Sequence, residues 1–217
     1  MNSFNKANNL KTIVIVHGWT GSSKRDWMRW LARELRAQGF RVIVPDMPIP
    51  RAPVPIVWVP YLKHAVGTID ENTFFVGHSV GCQAIMRMLA RQDRKSGGAI
   101  FVAGFFKTKD FLRSHPWLKS FQNFYSMPYH VAAKYVIRWW ETRFDYARLR
   151  KNIPKSVVIL SDNDHVVDEK LNAELFHKHL NSEIIIIKNG GHLTGPEGFR
   201  QFPMLVEEVL KMTRDEI

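Results

Sequence analysis

Residues 74–82 are Phe-Phe-Val-Gly-His-Ser-Val-Gly-Cys, an apolar run that leads into G-x-S-x-G and continues into a helical pattern. This order is typical of a nucleophile elbow, a tight strand-to-helix turn that forces its central serine into a strained backbone conformation. Gly77 and Gly81 supply the clearance that such a turn needs. The stretch therefore predicts that the hydroxyl of Ser79 stands above the sheet edge, beside the backbone amide of Val80 at the start of the next helix.

The composition favours one soluble domain that spans residues 1–217. Hydrophobic residues make up 45% of the 217-residue chain, which is enough for one well-buried core and short for two. Cys82 is the single cysteine, so an internal disulfide and a zinc site of several cysteines are excluded. Residues 1–11 are polar, and no later run reaches the roughly 18 apolar residues of a membrane span. We therefore expect a cytoplasmic protein.

The positive charge is concentrated in one quarter of the chain. The formal net charge is +11, and residues 105–155 hold eleven Lys and Arg residues against three Asp and Glu residues. Such a basic segment raises the question of nucleic-acid binding. Here the cations alternate with aromatic and apolar residues at helical spacing and form no long run. The pattern therefore favours a solvated basic helix face over a nucleic-acid site.

Strand-like and helix-like patterns alternate along the chain. Besides the elbow strand, β-branched and apolar runs indicate strands at residues 11–17, 41–45, 99–103, 157–160 and 183–187. Helical patterns occupy residues 24–38, 59–66, 80–91, 168–179 and 200–213, and the proline-rich residues 46–60 indicate an extended loop. This rhythm predicts an α/β fold, a mainly parallel sheet of about six strands with helices on both faces. At about residues 105–152 the rhythm breaks, and we expect a small helical cap insertion there.

A serine nucleophile needs a base within hydrogen-bond reach and a carboxylate that orients the base. In a parallel sheet, both are expected on loops at the carboxyl ends of later strands. The strand pattern that ends at residue 160 is followed by Asp162 and Asp164, and the pattern that ends at residue 187 is followed by His192. His192 is thus the candidate base, and either aspartate is a candidate acid, because one of them can instead cap the next helix.

Three other histidines compete with His192 for the role of base. His165 directly follows a candidate acid and is better placed to line the mouth of a pocket. His17 and His78 lie at strand ends, where a buried imidazole with satisfied hydrogen bonds is common. Cys82 lies one turn into the elbow helix, where we expect it to face packing and not to act as a nucleophile.

A second oxyanion donor is expected in the loop after the first strand. Residues 17–21 are His-Gly-Trp-Thr-Gly, and the backbone amide of Trp19 can converge with that of Val80 on a developing negative charge. The alternative is that these glycines only form a turn.

With the elbow, the candidate acid, the candidate base and the H-G-W-T-G loop each placed after a predicted strand, the chain resembles the α/β-hydrolase superfamily. More narrowly, it resembles the small serine hydrolases of the retinoblastoma-binding-protein-9 and YdeN type. The narrower resemblance depends on the proline-rich residues 47–58, G-H-S-V-G at 77–81, N-D-x-x-V at 163–167 and G-G-H at 190–192. It implies Ser79 as nucleophile, Asp164 as acid and His192 as base, with no cofactor. Two departures are His165, where such relatives usually carry proline, and H-G-W-T-G in place of a more glycine-rich first loop.

The insertion is rich in aromatic residues. Residues 105–146 hold thirteen of the 26 aromatic residues of the chain. We expect this segment to cover the active site and to form an apolar pocket lined by some of Phe105, Phe106, Trp117, Tyr125, Trp139 and Trp140, with His165 also in contact with substrate. The alternative is that these rings only seal the cap onto the sheet. Because the segment is also basic, an anionic substrate or partner is a further possibility.

These patterns together predict a serine hydrolase that cleaves a small carboxylic ester or amide with an apolar or aromatic group. The reaction would pass through an acyl-enzyme on Ser79 and would need neither a metal nor a cofactor. Two alternatives remain: a protein-binding module that keeps the hydrolase fold with little or no catalysis, and lyase or haloperoxidase chemistry on the same residues. If His192 is the base, the hydrolysis rate should rise between about pH 5 and pH 8.

Overall fold

In the part of the chain that the structure describes, the sheet has six strands, and every neighbouring pair is parallel. The structure is a computed structural model that describes residues 10–107, 139 and 144–214. In chain order the strands are β1 (Thr12–Val16), β2 (Arg41–Ile43), β3 (Thr73–His78), β4 (Gly98–Val102), β5 (Ser156–Ser161) and β6 (Glu183–Ile187). Their spatial order is β2-β1-β3-β4-β5-β6. The α/β fold that the sequence predicts is confirmed.

Six helices alternate with these strands in the described residues. They are α1 (Met28–Ala37), α2 (Pro55–Val66), α3 (Val80–Leu89), α4 (Tyr146–Asn152), α5 (Glu169–Leu180) and α6 (Pro203–Thr213), and a short 3₁₀ turn spans Gly195–Glu197. None of the helices in the described ranges is both long and apolar enough to cross a membrane.

Alternate residues of each central strand pack against opposite layers of helices. In β1, Ile13 and Ile15 share one core with Leu31 and Leu35 of α1 and with residues of α6. Val14 and Val16 face the other core, which holds residues of α2, α3, α4 and α5. The period of two in a strand therefore explains why β1 is apolar at every position from Ile13 to Val16, since both of its faces are buried there.

The residues before β3 differ from the predicted extended loop. Helix α2 begins at Pro55, not near residue 59, and Pro60 lies inside it. Proline is well tolerated in the first helical turn because an amide N–H there has no acceptor within the helix. The proline content of residues 46–60 was therefore a misleading indicator of loop at its carboxyl-terminal end.

The predicted cap insertion at about residues 105–152 falls largely on residues 108–138 and 140–143, which lie outside the described residues. Within the described part of the insertion, α4 begins after Asp145, whose side chain caps the helix by accepting a hydrogen bond from the Arg148 amide.

The order of the strands decides where a site can form. The chain leaves β1 to form the edge strand β2, and it then returns to form β3 on the other side of β1. At such a switch point, the loops after the two adjacent strands diverge and leave a crevice at their carboxyl ends. Gly18 follows β1 and Ser79 follows β3, so the two loops of interest lie at this crevice.

Candidate active site

Ser79 occupies the strained turn that the sequence predicts. Its backbone has φ 51° and ψ −121°, a combination that costs a non-glycine residue energy. Its amide donates to the Val102 carbonyl at 2.9 Å, which anchors the turn to β4. A Cβ atom on Gly81 would lie 2.5 Å from the Val16 carbonyl oxygen, so α3 can approach β1 only because this residue is glycine.

Three polar side chains form a continuous hydrogen-bonded chain at this turn. The Ser79 Oγ and His192 Nε2 atoms are 2.9 Å apart, although the residues are separated by 113 positions in sequence. The His192 Nδ1 and Asp164 Oδ2 atoms are 2.8 Å apart. Hydroxyl, imidazole and carboxylate therefore stand in the order in which a proton can leave the serine and the resulting imidazolium can be stabilised.

Asp164 is held in place as a charged acceptor. It is only 2% exposed, and its Oδ1 atom accepts hydrogen bonds from the amides of Val166 at 2.7 Å and Val167 at 3.0 Å. Burial by itself raises the pKa of Asp164, but hydrogen bonds from His192 and the two amides outweigh it and keep the pKa below the ordinary range. Asp164 therefore presents a carboxylate, not a carboxylic acid, to His192.

The loop after β1 lies against the serine. A Cβ atom on Gly18 would be 3.2 Å from the Ser79 Cβ atom, so the backbone of this loop contacts the elbow directly. The indole of the next residue, Trp19, donates from Nε1 to the Arg51 carbonyl at 2.9 Å, which fixes its ring. On the other side, Val80 is the first residue of α3, where an amide N–H has no acceptor within the helix.

A cleft of about 690 Å³ opens above Ser79. The described residues that line it come from the end of β3 and from the loops after β1, β3, β5 and β6; they are Gly18, Trp19, Thr20, Gly21, Lys24, Arg25, Asp26, His78, Ser79, His165, Val166, His192, Thr194, Gly195, Pro196 and Arg200. Its volume is in the range of pockets that bind small molecules.

A protein-family model described as serine hydrolase matches residues 13–211. The chain belongs to the serine hydrolase family. The YdeN protein of Bacillus subtilis (strain 168), which is named as a hydrolase, is 30% identical over 199 residues, or 91% of this chain and 93% of YdeN. The crystal structure of the ydeN gene product of B. subtilis superposes with a TM-score of 0.78 at 26% identity, and the match covers 93% of this chain and 98% of that one.

More distant solved structures share the architecture. A carboxylesterase of the thaumarchaeon Nitrososphaera gargenis has a TM-score of 0.72 at 14% identity, over 96% of this chain and 93% of that chain. The carboxylesterase CesB of B. subtilis has a TM-score of 0.62 at 14% identity, over 97% of this chain and 86% of that chain. At this identity the likeness is one of fold. The protein is thus a YdeN-type serine hydrolase with the α/β-hydrolase fold.

Two histidines of this serine hydrolase that compete with His192 are buried and neutral. The His17 Nδ1 atom is 2.8 Å from the Gly18 carbonyl, and its Nε2 atom accepts from the Met47 amide at 2.9 Å, so both ring nitrogens are engaged. Burial lowers the pKa of His17. Burial, followed by the nearby charge of His192, lowers the pKa of His78 to about 4. Neither imidazole contacts Ser79 through a hydrogen bond that would make it a base.

The other two candidates that the sequence offered, His165 and Cys82, also lie in surroundings different from those of His192 and Ser79. His165 lines the cleft about half-exposed, and its Nδ1 atom lies 3.7 Å from Glu197 Oε1. Cys82 is fully buried, its Sγ atom contacts the Val102 carbonyl, and burial raises the pKa of the thiol well above its ordinary value. A thiol that keeps its proton is a poor nucleophile.

Asp162 has a structural contact that the sequence did not indicate. Three consecutive side chains, the last of β5 and the two that follow it, accept hydrogen bonds from three consecutive amides of the loop that carries His192. Asp162 Oδ1 accepts from the Asn189 amide at 2.8 Å, Ser161 Oγ from Gly190 at 2.9 Å, and Asn163 Oδ1 from Gly191 at 2.7 Å. We call residues 161–163 the acceptor segment. It explains why polar residues precede Asp164 in the sequence, since they hold the base loop.

Three of the aromatic residues predicted to line the pocket, Phe105, Phe106 and Trp139, are described by the structure, and they lie outside the cleft above Ser79. Phe105 and Phe106 are buried in the core on the α5 side of the sheet, and Phe106 packs with its ring centroid 4.7 Å from that of Phe176. Trp139 is 1% exposed and donates from Nε1 to the Pro53 carbonyl at 3.0 Å. None of the three is among the residues that line the cleft above Ser79. Trp117, Tyr125 and Trp140 lie outside the described residues.

Within the described part of the chain, no group of three His, Cys, Asp or Glu side chains is arranged to hold a metal ion.

Trp19 and Val166 provide apolar surface in the cleft. Both residues lie close to the catalytic candidates in sequence or in space.

Proposed function

We propose that this serine hydrolase cleaves carboxylic esters, or amides, of small substrates through an acyl-enzyme on Ser79. The observation that carries the proposal is the hydrogen-bonded chain from Ser79 through His192 to Asp164, with distances of 2.9 and 2.8 Å. The apolar surface of Trp19 and Val166 in the cleft supports a substrate with an apolar or aromatic group.

In the first half of the reaction, His192 Nε2 removes the hydroxyl proton of Ser79 while Oγ forms a bond to the substrate carbonyl carbon. The carbonyl electron pair moves onto oxygen, and the amides of Trp19 and Val80 stabilise this oxyanion. Asp164 holds the imidazole in the tautomer whose Nε2 can accept a proton, and then stabilises the imidazolium. One such amide donor contributes about 3 kcal/mol to transition-state stability.

In the second half, the tetrahedral intermediate collapses and the bond to the leaving group breaks. His192 gives its proton to the leaving oxygen or nitrogen, so an alcohol or amine departs and the acyl group stays on Ser79. A water molecule then attacks the acyl carbon, its proton passes to His192 and on to Ser79 Oγ, and a carboxylic acid is released. The reaction therefore balances in atoms and electrons without an electron acceptor or a cofactor.

The direct test measures initial rates for a series of 4-nitrophenyl esters with acyl chains of increasing length and for the matching anilides. We expect hydrolysis of esters by the unaltered protein and a loss of activity in Ser79→Ala to the background rate. Ser182→Ala is a matched control, because Ser182 Oγ pairs with Ser156 Oγ at 2.7 Å at the opposite end of the sheet. Activity that survives in Ser79→Ala, or is lost equally in both variants, would contradict the proposal.

A further inference from the structure

One end of the cleft carries an excess of positive charge. Lys24 and Arg25 line one wall of the cleft. Arg200 lines the other wall, in the segment that follows His192, and all three side chains are exposed. Among the described lining residues the opposing carboxylate is Asp26. These cations are distinct from the basic residues of the aromatic insertion, since they belong to the loops on either side of Ser79.

The two walls that carry these cations are joined by a hydrogen bond. Asp26 Oδ1 accepts from the Gly195 amide at 2.7 Å, so the loop before α1 contacts the loop after β6. Asp26 has φ 49°, a left-handed backbone conformation within the turn before α1. Asp26 thus links the two walls, and its single negative charge offsets only one of the three cations that line the cleft.

Two further carboxylates lie near the cleft without lining it, and they reduce the positive potential there. Glu197 is not among the residues that line the cleft: its Oε2 atom accepts from the amide and hydroxyl of Thr194, at 3.0 and 2.7 Å, and its Oε1 atom lies 3.7 Å from His165 Nδ1. Asp46 also lies outside the lining and accepts from the Ser23 amide and hydroxyl, at 2.6 and 3.0 Å. The hydrogen bonds from Ser23, followed by the charge of Lys24, lower the pKa of Asp46, so its carboxylate offsets part of the charge of Lys24. His78 is neutral, as described above.

The position of Arg25 is fixed by the loop that approaches the serine. Its Nη1 atom donates to the Thr20 carbonyl at 3.1 Å, which leaves the other donors of the guanidinium for a ligand. A guanidinium binds planar carboxylate and tetrahedral phosphate groups well, because its N–H donors form a rigid fork.

We propose that the substrates of this site carry a negatively charged group, a carboxylate or phosphate, that binds between Lys24, Arg25 and Arg200 while the ester carbonyl lies at Ser79. This proposal depends on the proposed ester hydrolysis and narrows its substrate class. The charge can belong to the acyl part or to the alcohol part of the ester, and matched substrates distinguish the two.

The test compares pairs of esters of equal length that differ in one charge. For the acyl part, the pair is 4-nitrophenyl valerate and mono-4-nitrophenyl glutarate. For the alcohol part, the pair is the butyrate ester of 1-propanol and that of 3-hydroxypropanoate. We expect the anionic member of at least one pair to have the lower KM, and the preference to weaken as salt is raised, because exposed charges are screened.

Charge reversal assigns the preference to the named cations. In Lys24→Glu and Arg200→Glu, we expect the ratio of kcat/KM for the anionic ester to that for its neutral partner to fall by about three- to tenfold each. Lys95→Glu is the matched control, since Lys95 is an exposed residue that precedes β4 at the opposite edge of the sheet. An unchanged ratio in the two cleft variants, or an equal fall in the control, would overturn the proposal.

A binding measurement separates this proposal from the proposed reaction. Monomethyl glutarate and methyl valerate are titrated into Ser79→Ala protein and followed by NMR chemical shifts of cleft residues. Tighter binding of the anion, lost in Lys24→Glu, supports the anion site even if no ester is hydrolysed, in which case only the proposed reaction fails. Equal binding of the two esters would overturn the anion site while leaving ester hydrolysis intact.

Discussion

His78 Nε2 donates a hydrogen bond of 2.9 Å to the backbone carbonyl oxygen of His192. A carbonyl oxygen can only accept, so this nitrogen of His78 carries the proton. Because His78 directly precedes Ser79, the contact joins the strand that carries the candidate nucleophile to the loop that carries the candidate base. The short distance from Ser79 to His192 therefore depends on a buried, neutral histidine that takes no direct part in the proposed chemistry.

We expect His78 to make the protein sensitive to acid. Burial lowers the pKa of His78 from 6.5 to about 4 in the folded protein, so the unfolded chain binds its proton at a higher pH than the folded one. The contribution of His78 to stability is therefore complete above about pH 6.5 and is lost as pH falls towards about 4, with a total near 3 kcal/mol.

Urea unfolding over this pH range checks the role of His78. In His78→Gln, a side-chain N–H donor remains but no longer titrates, so the free energy of unfolding should fall less steeply with acid. His17 still contributes, because burial also lowers its pKa. His64→Gln, at an exposed position of α2, should keep the original slope. Equal slopes for the unaltered protein and His78→Gln would contradict the prediction.

Two aspartates two positions apart should respond very differently to the same substitution. Asp164→Asn keeps an oxygen that can accept from the Val166 and Val167 amides, but it no longer stabilises the productive tautomer of His192. We expect kcat to fall about a thousandfold or more, with little change in the free energy of unfolding.

Asp162→Asn is the matched control, because its retained side-chain oxygen can still accept from the Asn189 amide. Its kcat should stay within about a factor of three of the original value, since this contact needs only a hydrogen-bond acceptor, which the amide oxygen of asparagine also supplies. The comparison is made from steady-state kinetics on one ester. A larger loss of kcat in Asp162→Asn than in Asp164→Asn would reverse the assignment of the acid.

The acceptor segment should affect kcat more than substrate binding. In Asn163→Ala, the Gly191 amide next to His192 loses its hydrogen-bond acceptor. The loop that carries His192 should therefore shift. We expect kcat to fall about tenfold with KM nearly unchanged, because small displacements of catalytic groups slow the chemical step. Asn163→Asp should restore most of kcat, since a carboxylate accepts the same hydrogen bond. Failure of Asn163→Asp to recover activity would count against a positioning role for Asn163.

The fold, and the placement of Ser79, His192 and the candidate acids at one edge of the sheet, could be predicted from the sequence because both depend on local patterns. Apolar runs of strand length, helical periodicity and the glycines of the elbow are properties of short segments, and they indicated β3, α3 and Ser79 directly. The candidate base and acid followed because the carboxyl ends of parallel strands meet at one edge of the sheet. The choice of Asp164 over Asp162 needed the resemblance to a known family.

What the sequence did not predict depends on contacts between distant loops. Asp26 and Gly195 are 169 positions apart, and their hydrogen bond joins the two segments that carry Lys24, Arg25 and Arg200 in the same cleft. No local pattern indicates such a contact. Phe106 and Trp139 were expected to line a pocket because they are aromatic, but large apolar rings also fill cores, and hydrophobicity alone does not distinguish the two uses.

Covalent labelling of Ser79 tests the central claim most directly. A fluorophosphonate probe is incubated with the folded protein, and the adduct is located by mass spectrometry of its peptides. We expect one label per chain on Ser79, its loss in Ser79→Ala, and much slower labelling in Asp164→Asn. Folded protein that takes up no label, or a label on another residue such as Cys82, would contradict the account, and the former result would favour a binding module on this fold.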